Sequence, residues 1–279
     1  MELTAPEILG FPDQSPTIKT LDLLHTLSGE SCPIHYHVLS NKQHLSKTLS
    51  GQNFESDLVP GVYEGGLKLW ECSIDLARYI VNNREAFIGK RVLELGCGQG
   101  IPGIATLKYG QAAQVVFQDY NDEVVENATK RAVQTNTGEE LMGRCLFISG
   151  SWESIAAQPV AEEMKFEFIL MSETLYNTSY YDSLVSVIDR TLKFDGQVII
   201  GTKTFYFGLG GGHFEFQRFL SQKKQSGQFH LSVIEKLNDL KSIERMVLLM
   251  RRGEAPQEEK QAEQMEDEGA GEEGFQLSF

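Results

Sequence analysis

Between Val92 and Ile104 the chain reads V-L-E-L-G-C-G-Q-G-I-P-G-I, and no other stretch restricts the possible folds so tightly. A short apolar run of strand character meets glycines at positions 96, 98 and 100, and the spacing of Ile101, Ile104, Ala105, Leu107 and Lys108 then becomes helical. Strand, glycine turn and helix start in immediate succession make a place where backbone takes positive φ and approaches a ligand that a Cβ would push away. The pattern predicts a nucleotide-type cofactor there.

The spacing narrows the cofactor. A dinucleotide fingerprint G-x-G-x-x-G/A laid on Gly96 and Gly98 needs a small residue at 101, where this chain has Ile101. The sequence is instead E-x-G-x-G-x-G, with Glu94 ahead of Gly96, Gly98 and Gly100. A carboxylate there repels a pyrophosphate and suits the α-ammonium of S-adenosylmethionine. The next apolar run, Gln114 to Tyr120, ends in Asp119, about 20 residues beyond the glycines and placed to accept ribose hydroxyls.

Around this center strands and helices alternate. A helix containing Trp70, Ile74, Ala77 and Val81 precedes the glycine turn. After it come a helix over Asp122 to Gln134, a strand over Arg144 to Gly150, a short piece at Trp152 to Ala156, and a strand over Phe166 to Glu173. A helix over Tyr180 to Lys193, a strand over Gln197 to Thr204 and a helix over Glu215 to Lys224 follow. Such alternation gives a mainly parallel sheet with helices on both faces. The last two strands, Phe229 to Lys236 and Ile243 to Arg251, are joined by a short polar link containing Asn238 and Asp239 and are expected as an antiparallel hairpin. Residues 1–61, broken by several prolines, are read as an irregular arm, 62–252 as the catalytic domain and 253–279 as a disordered acidic tail.

Charge supports this division. The net charge is −14; the tail carries nine acidic residues against one lysine, so −6 remains on the rest. A mildly acidic body argues against sequence-independent nucleic-acid binding and suits a basic protein partner. No run reaches the 18 apolar residues of a membrane span, and Met1 to Gln14 has no signal-peptide pattern, so the chain is expected inside the cell, in the cytoplasm or nucleus, as a monomer. Cys32, Cys72, Cys97 and Cys145 lack paired spacing, and His35 and His37, two apart on a possible strand, lack companion ligands; no metal site is read.

Ligands of such a sheet bind beyond the C-terminal ends of its strands. There stand Gly150, Ser151 and Trp152, suited to an adenine; Ser172, Glu173, Tyr176 and Asn177, where the transferred methyl should lie; and Lys203, Tyr206 and the loop Gly208 to Gly212. Pattern alone also allows Trp152 and Tyr176 as packed aromatics, Asn177 as a helix cap, and Trp70 and Glu71 as a core anchor and a first-turn acid. Glu173 is harder to set aside, because a carboxylate ending a buried strand needs a partner or water.

The pieces G-L-K-L-W-E-C-S-I-D-L, V-L-E-L-G-C-G-Q-G, F-Q-D-Y-N, G-S-W-E-S, S-E-T-L-Y-N and Y-F-G-L-G-G-G, spread over residues 60–252, resemble the protein-histidine N-methyltransferase family. That family lies within the seven-strand, Rossmann-like methyltransferases that use S-adenosylmethionine. The resemblance implies cofactor contacts at Trp70, Glu71, Gly96, Asp119, Tyr120, Asn121, Gly150, Ser151, Trp152 and Ser172. It also implies a substrate, one histidine of large-subunit ribosomal protein three. Glu173, Asn177 and Tyr176 are then the candidates for accepting the imidazole N–H. Two features stand apart from the resemblance: Thr135 to Gly143 lacks the basic import segment that members of the family can carry, and the acidic tail is not among the features the resemblance implies.

Overall fold

The computed structural model describes residues 17–24, 26, 28–39, 58–59, 62–223, 229–238 and 242–253. The tail beyond Gly253, most of the arm and Asp239 of the hairpin link, for which the sequence carries expectations, lie outside the described residues.

Strands β3 (Arg91–Leu95), β4 (Gln114–Asp119), β5 (Cys145–Ser149), β6 (Phe166–Ser172), β7 (Leu192–Lys203), β8 (Phe229–Leu237) and β9 (Arg245–Arg252) form one sheet in the order β5-β4-β3-β6-β7-β9-β8. The pairs from β5 through β7 are parallel, whereas β9 runs antiparallel to both β7 and β8. This is the seven-strand, Rossmann-like sheet that the resemblance implies, with the expected C-terminal antiparallel hairpin. The chain winds outward from β3 to β5, then jumps back to place β6 on the other side of β3. The crevice therefore opens where β3 and β6 end.

Two apolar layers cover the sheet. Leu76, Ile80 and Val81 of the helix Glu71–Asn82 join Ile104 and Leu107 of the helix Ile101–Lys108 on one face. Leu184, Val187 and Ile188 of the helix Tyr181–Thr191 pack with Leu93, Ile169 and Ile200 on the other. Buried on both sides, β3, β4 and β6 read as near-continuous apolar runs, as central parallel strands must. Cys32, Cys72, Cys97 and Cys145 are buried free thiols. Among the described residues no helix is long and apolar enough to cross a membrane.

Three elements differ from expectation. The expected helix over Asp122 to Gln134 contains a π turn, Val125–Thr129, between the helical turn Asp122–Val124 and the helix Lys130–Asn136. Strand β7 starts at Leu192, directly after the preceding helix, because Leu192 pairs with Phe166 across a register shift in β6. The arm is not irregular throughout. Thr17–Asp22 (β1) and Pro33–Val38 (β2) form an antiparallel hairpin. Its β2 edge is closed by two side-chain amides: Asn136 bonds the N–H and carbonyl of His35, each at 2.7 Å, and Gln99 bonds those of His37 at 3.0 and 2.8 Å. Each amide does what a neighbouring strand would do, so an exposed edge becomes a docked one.

Candidate active site

The glycine turn adopts the conformation its residues allow. Gly96, Gly98 and Gly100 have φ of 63°, 50° and 69°. A Cβ on Gly96 would stand 2.9 Å from Thr174 Cγ2, and one on Gly98 3.0 Å from the Gly66 carbonyl oxygen. Both space and backbone angle therefore call for glycine.

Two neighbours at the end of β4 fix this turn. Asp119 Oδ2 accepts from the Gly98 N–H at 2.8 Å. Gln118, fully buried, accepts at Oε1 from the Gly96 N–H at 3.3 Å and from Trp152 Nε1 at 2.9 Å, and donates through Nε2 to the Gly150 carbonyl at 2.9 Å. One amide thus ties together the loops after β3 and β5. Sequence reading passed over Gln118; its signal was a polar residue inside the apolar run that ends in Asp119.

These loops enclose a cavity of about 330 Å³, within the usual size range of small-molecule sites. Gly96, Gly98 and Gly100 line it at the end of β3, Asp119 and Tyr120 at β4, and Gly150, Ser151 and Trp152 at β5. Ser172, Glu173 and Tyr176 line it after β6, and Trp70 lines it from the residue before the helix Glu71–Asn82. Trp70 is a wall residue, its Nε1 donating to the Gly65 carbonyl at 3.0 Å. Trp152 both lines the cavity and packs on the apolar layer below it.

Four expected site residues lie outside the lining. Glu94 is buried on the far side of β3, where Oε2 accepts from the Gly103 N–H at 2.8 Å in the first turn of the helix Ile101–Lys108. The expectation that it meets the donor's ammonium directly is corrected: alternate strand residues face opposite sides, and position 94 faces the helix. Glu71 also stands outside the lining, its side chain 57 % exposed near Lys203 and Arg245. Asn121 donates to the Val62 carbonyl at 2.8 Å and holds the preceding loop. Asn177 accepts from Ser179 N and Oγ at 3.0 and 2.7 Å, the cap its residue type also allowed.

Burial sets the charges. Asp119 is pushed from the ordinary 3.8 to about 6 by burial, with the bond from the Gly98 N–H opposing and the Glu64 charge adding to the rise. Glu94 is pushed by burial from 4.5 to about 8, so near neutrality it holds its proton. Glu64, which sequence reading missed, lines the cavity and accepts from Tyr176 and, at 3.0 Å, from Tyr180. Burial, followed by that bond, raises the Tyr176 hydroxyl well above its usual range. At the β6–β7 end, Tyr206 donates to Glu173 Oε2 at 2.6 Å, and Lys203 Nζ stands 3.4 Å from Oε1.

The residues fit S-adenosylmethionine. Asp119 offers a carboxylate to hydroxyls, the glycine turn leaves room that a Cβ would take, and Tyr120 and Trp152 supply aromatic faces beside Gly150. Buried Thr174 Oγ1, without a hydrogen-bond partner among the described residues, lies in the same lining.

Comparison with known proteins agrees. A family model described as lysine methyltransferase matches residues 55–213. The chain is 44% identical over 166 residues to a histidine protein methyltransferase 1 homolog of Dictyostelium discoideum, covering 60% of this chain and 52% of that one. It is 35% identical over 265 residues to the homolog of Mus musculus, covering 86% of this chain and 68% of the other. It thus spans about half the length of the Dictyostelium relative.

Proposed function

Since this chain belongs to the histidine protein methyltransferase family, within the methyltransferases that use S-adenosylmethionine, we propose that it methylates an imidazole nitrogen of a protein histidine. We further propose that the histidine belongs to large-subunit ribosomal protein three, met in the cytoplasm or nucleus.

The bound donor supplies an electrophilic methyl group on a sulfonium. Asp119 would accept the ribose hydroxyls, and Trp152 and Tyr120 would hold the base. With Glu94 facing the helix, Ser172 and the carbonyl oxygens of the glycine turn are left to receive the ammonium. A neutral histidine, with an ordinary pKa near 6.5, already carries a lone pair, so the enzyme must place the ring rather than deprotonate it. That lone pair forms the new N–C bond as the C–S pair returns to sulfur, and the ring's other N–H proton then passes to solvent.

The observation that carries this reading is the setting of Glu173. It follows Ser172, the last residue of β6, on the cavity wall with φ of 55°, a conformation uncommon outside glycine. Tyr206 fixes one carboxylate oxygen, and the other, 3.4 Å from Lys203 Nζ, accepts no hydrogen bond among the described residues. It is an acceptor for the imidazole N–H, which would select the attacking nitrogen. Phe205 and Phe207, on either side of the lining residue Tyr206, are exposed, and Leu209 joins rim to lining. A polypeptide segment flanking the target fits this apolar rim, with Gly208 and Gly210 leaving open space for its backbone.

Methylation of lysine is the competing reading, favoured by the description of the matching family model. The two differ in pH dependence. An ammonium must lose its proton first, so the lysine reaction accelerates toward about pH 9, whereas the histidine reaction levels off above about pH 7. Incubation with labelled donor and ribosomal extract, followed by mass-spectrometric mapping of the modified residue, tests the proposal.

A further inference from the structure

We propose that Lys203 chooses the nucleophile: this internal ammonium occupies the place a substrate ammonium would need and leaves the site to acceptors that arrive neutral. The inference rests on the histidine reading above and explains how the site enforces it.

Lysine recognition in such a cavity calls for a carboxylate with aromatic faces around it. Those groups are present at the β6–β7 end, but the chain's own lysine fills them. Lys203 is the last residue of β7, two residues beyond Gly201, which pairs with Ser172 of β6 and accepts from the Glu173 N–H at 2.9 Å. Its Nζ lies 3.4 Å from Glu173 Oε1, 5.8 Å from the Trp70 ring centroid and 5.7 Å from that of Tyr206. Glu71 Oε2 lies 3.9 Å away on the solvent side. The lysine side chain is 16 % exposed and that of Glu173 8 %, so water screens the pair weakly.

The consequence for selection is direct. Together Glu173 and Lys203 carry no net charge, so a second cation entering beside them meets repulsion from Nζ that offsets attraction to the carboxylate. A neutral imidazole meets no such penalty, and it can still donate its N–H to the carboxylate. Lys203 is therefore a specificity-determining residue of the transfer.

The test compares wild type with Lys203→Met, which keeps the chain length and removes the charge, and Lys203→Arg, which keeps the charge. Each is incubated with labelled S-adenosylmethionine and ribosomal protein extract, and methylhistidine and methyllysine are separated after hydrolysis. Wild type and Lys203→Arg should yield methylhistidine. Lys203→Met should raise the methyllysine-to-methylhistidine ratio about tenfold or more, a difference that converts to roughly 1.4 kcal/mol, and its methyllysine yield should climb with pH. A Lys203→Met ratio equal to wild type overturns the proposal, as does an equal shift in Lys203→Arg. Donor binding by calorimetry accompanies each variant. Lys203→Met that binds donor yet labels neither residue contradicts selection and makes Lys203 part of the transfer itself. Lys203→Gln repeats the test if the methionine variant fails to bind, and loss of donor binding in both also contradicts selection. Methyllysine from the wild type would be a separate failure, that of the histidine reading itself.

Discussion

Replacing Asp119 with asparagine should weaken donor binding and abolish one specific pH dependence. The side chain is 4 % exposed; Oδ2 accepts from the Gly98 N–H at 2.8 Å and Oδ1 from the Asn121 N–H at 3.4 Å. Asparagine keeps one acceptor for the turn but loses the charge that strengthens bonds from ribose hydroxyls. Hydrogen bonds to a charged group are worth about 1.5–3 kcal/mol each, so losing one or two predicts an affinity drop of about 100-fold. The pH signature follows from a carboxyl near pH 6. Donor hydroxyls favour the ionised form, so wild-type affinity should fall about tenfold for each unit below roughly pH 6, while the asparagine variant stays flat. Stability of the donor-free protein runs the other way. A carboxyl raised from 3.8 to about 6 on folding contributes stability below pH 3.8 that is lost as pH rises through 6. Isothermal calorimetry across that range measures the affinity. Parallel pH curves, or equal affinities, would reduce Asp119 to an anchor of the glycine turn and refute the hydroxyl contact.

Three further outcomes are expected. Glu94→Gln should flatten the pH dependence of unfolding. The wild-type group, raised from 4.5 to about 8, contributes stability below pH 4.5 that is lost up to pH 8, a swing of up to about 5 kcal/mol in denaturant titrations; unchanged curvature would contradict its burial as a neutral acid. Glu173→Gln should lower kcat about tenfold to 100-fold in single-turnover assays while donor Kd stays near wild type, and unaltered turnover removes Glu173 from the reaction. Phe207→Ser should raise KM for the protein substrate up to about tenfold, in line with about 1.5 kcal/mol for burying part of a phenylalanine, without moving donor affinity; an unmoved KM places the docking surface elsewhere.

What the sequence made legible follows a physical division. Glycine positions, strand ends and the alternation of strand with helix are local properties, and they pointed to the turn at 96–100, Asp119, Trp152 and Glu173, all of which line the cavity. Facing is harder. Glu94 sits at the right spacing from the glycines, yet one residue's turn of the pleat points it at Gly103 rather than the cavity. Asn121 and Asn177 satisfy nearby backbone, as short polar side chains at strand ends commonly do. Glu64 and Tyr206 were invisible as partners because nothing local announces a contact across the 112 residues between Glu64 and Tyr176, or the 33 between Glu173 and Tyr206. The hairpin of the arm escaped for the same reason, since its edge is closed by amides 62 and 101 residues away.

The central claim is that this cavity aims a sulfonium methyl at a neutral ring nitrogen of a protein. Mass-spectrometric mapping of ribosomal protein treated with enzyme and isotopically labelled donor tests it most directly. The account predicts label on a histidine imidazole, formed at a rate that is level above about pH 7. Label on a lysine at a rate climbing with pH, or donor binding with no label on protein, would contradict it.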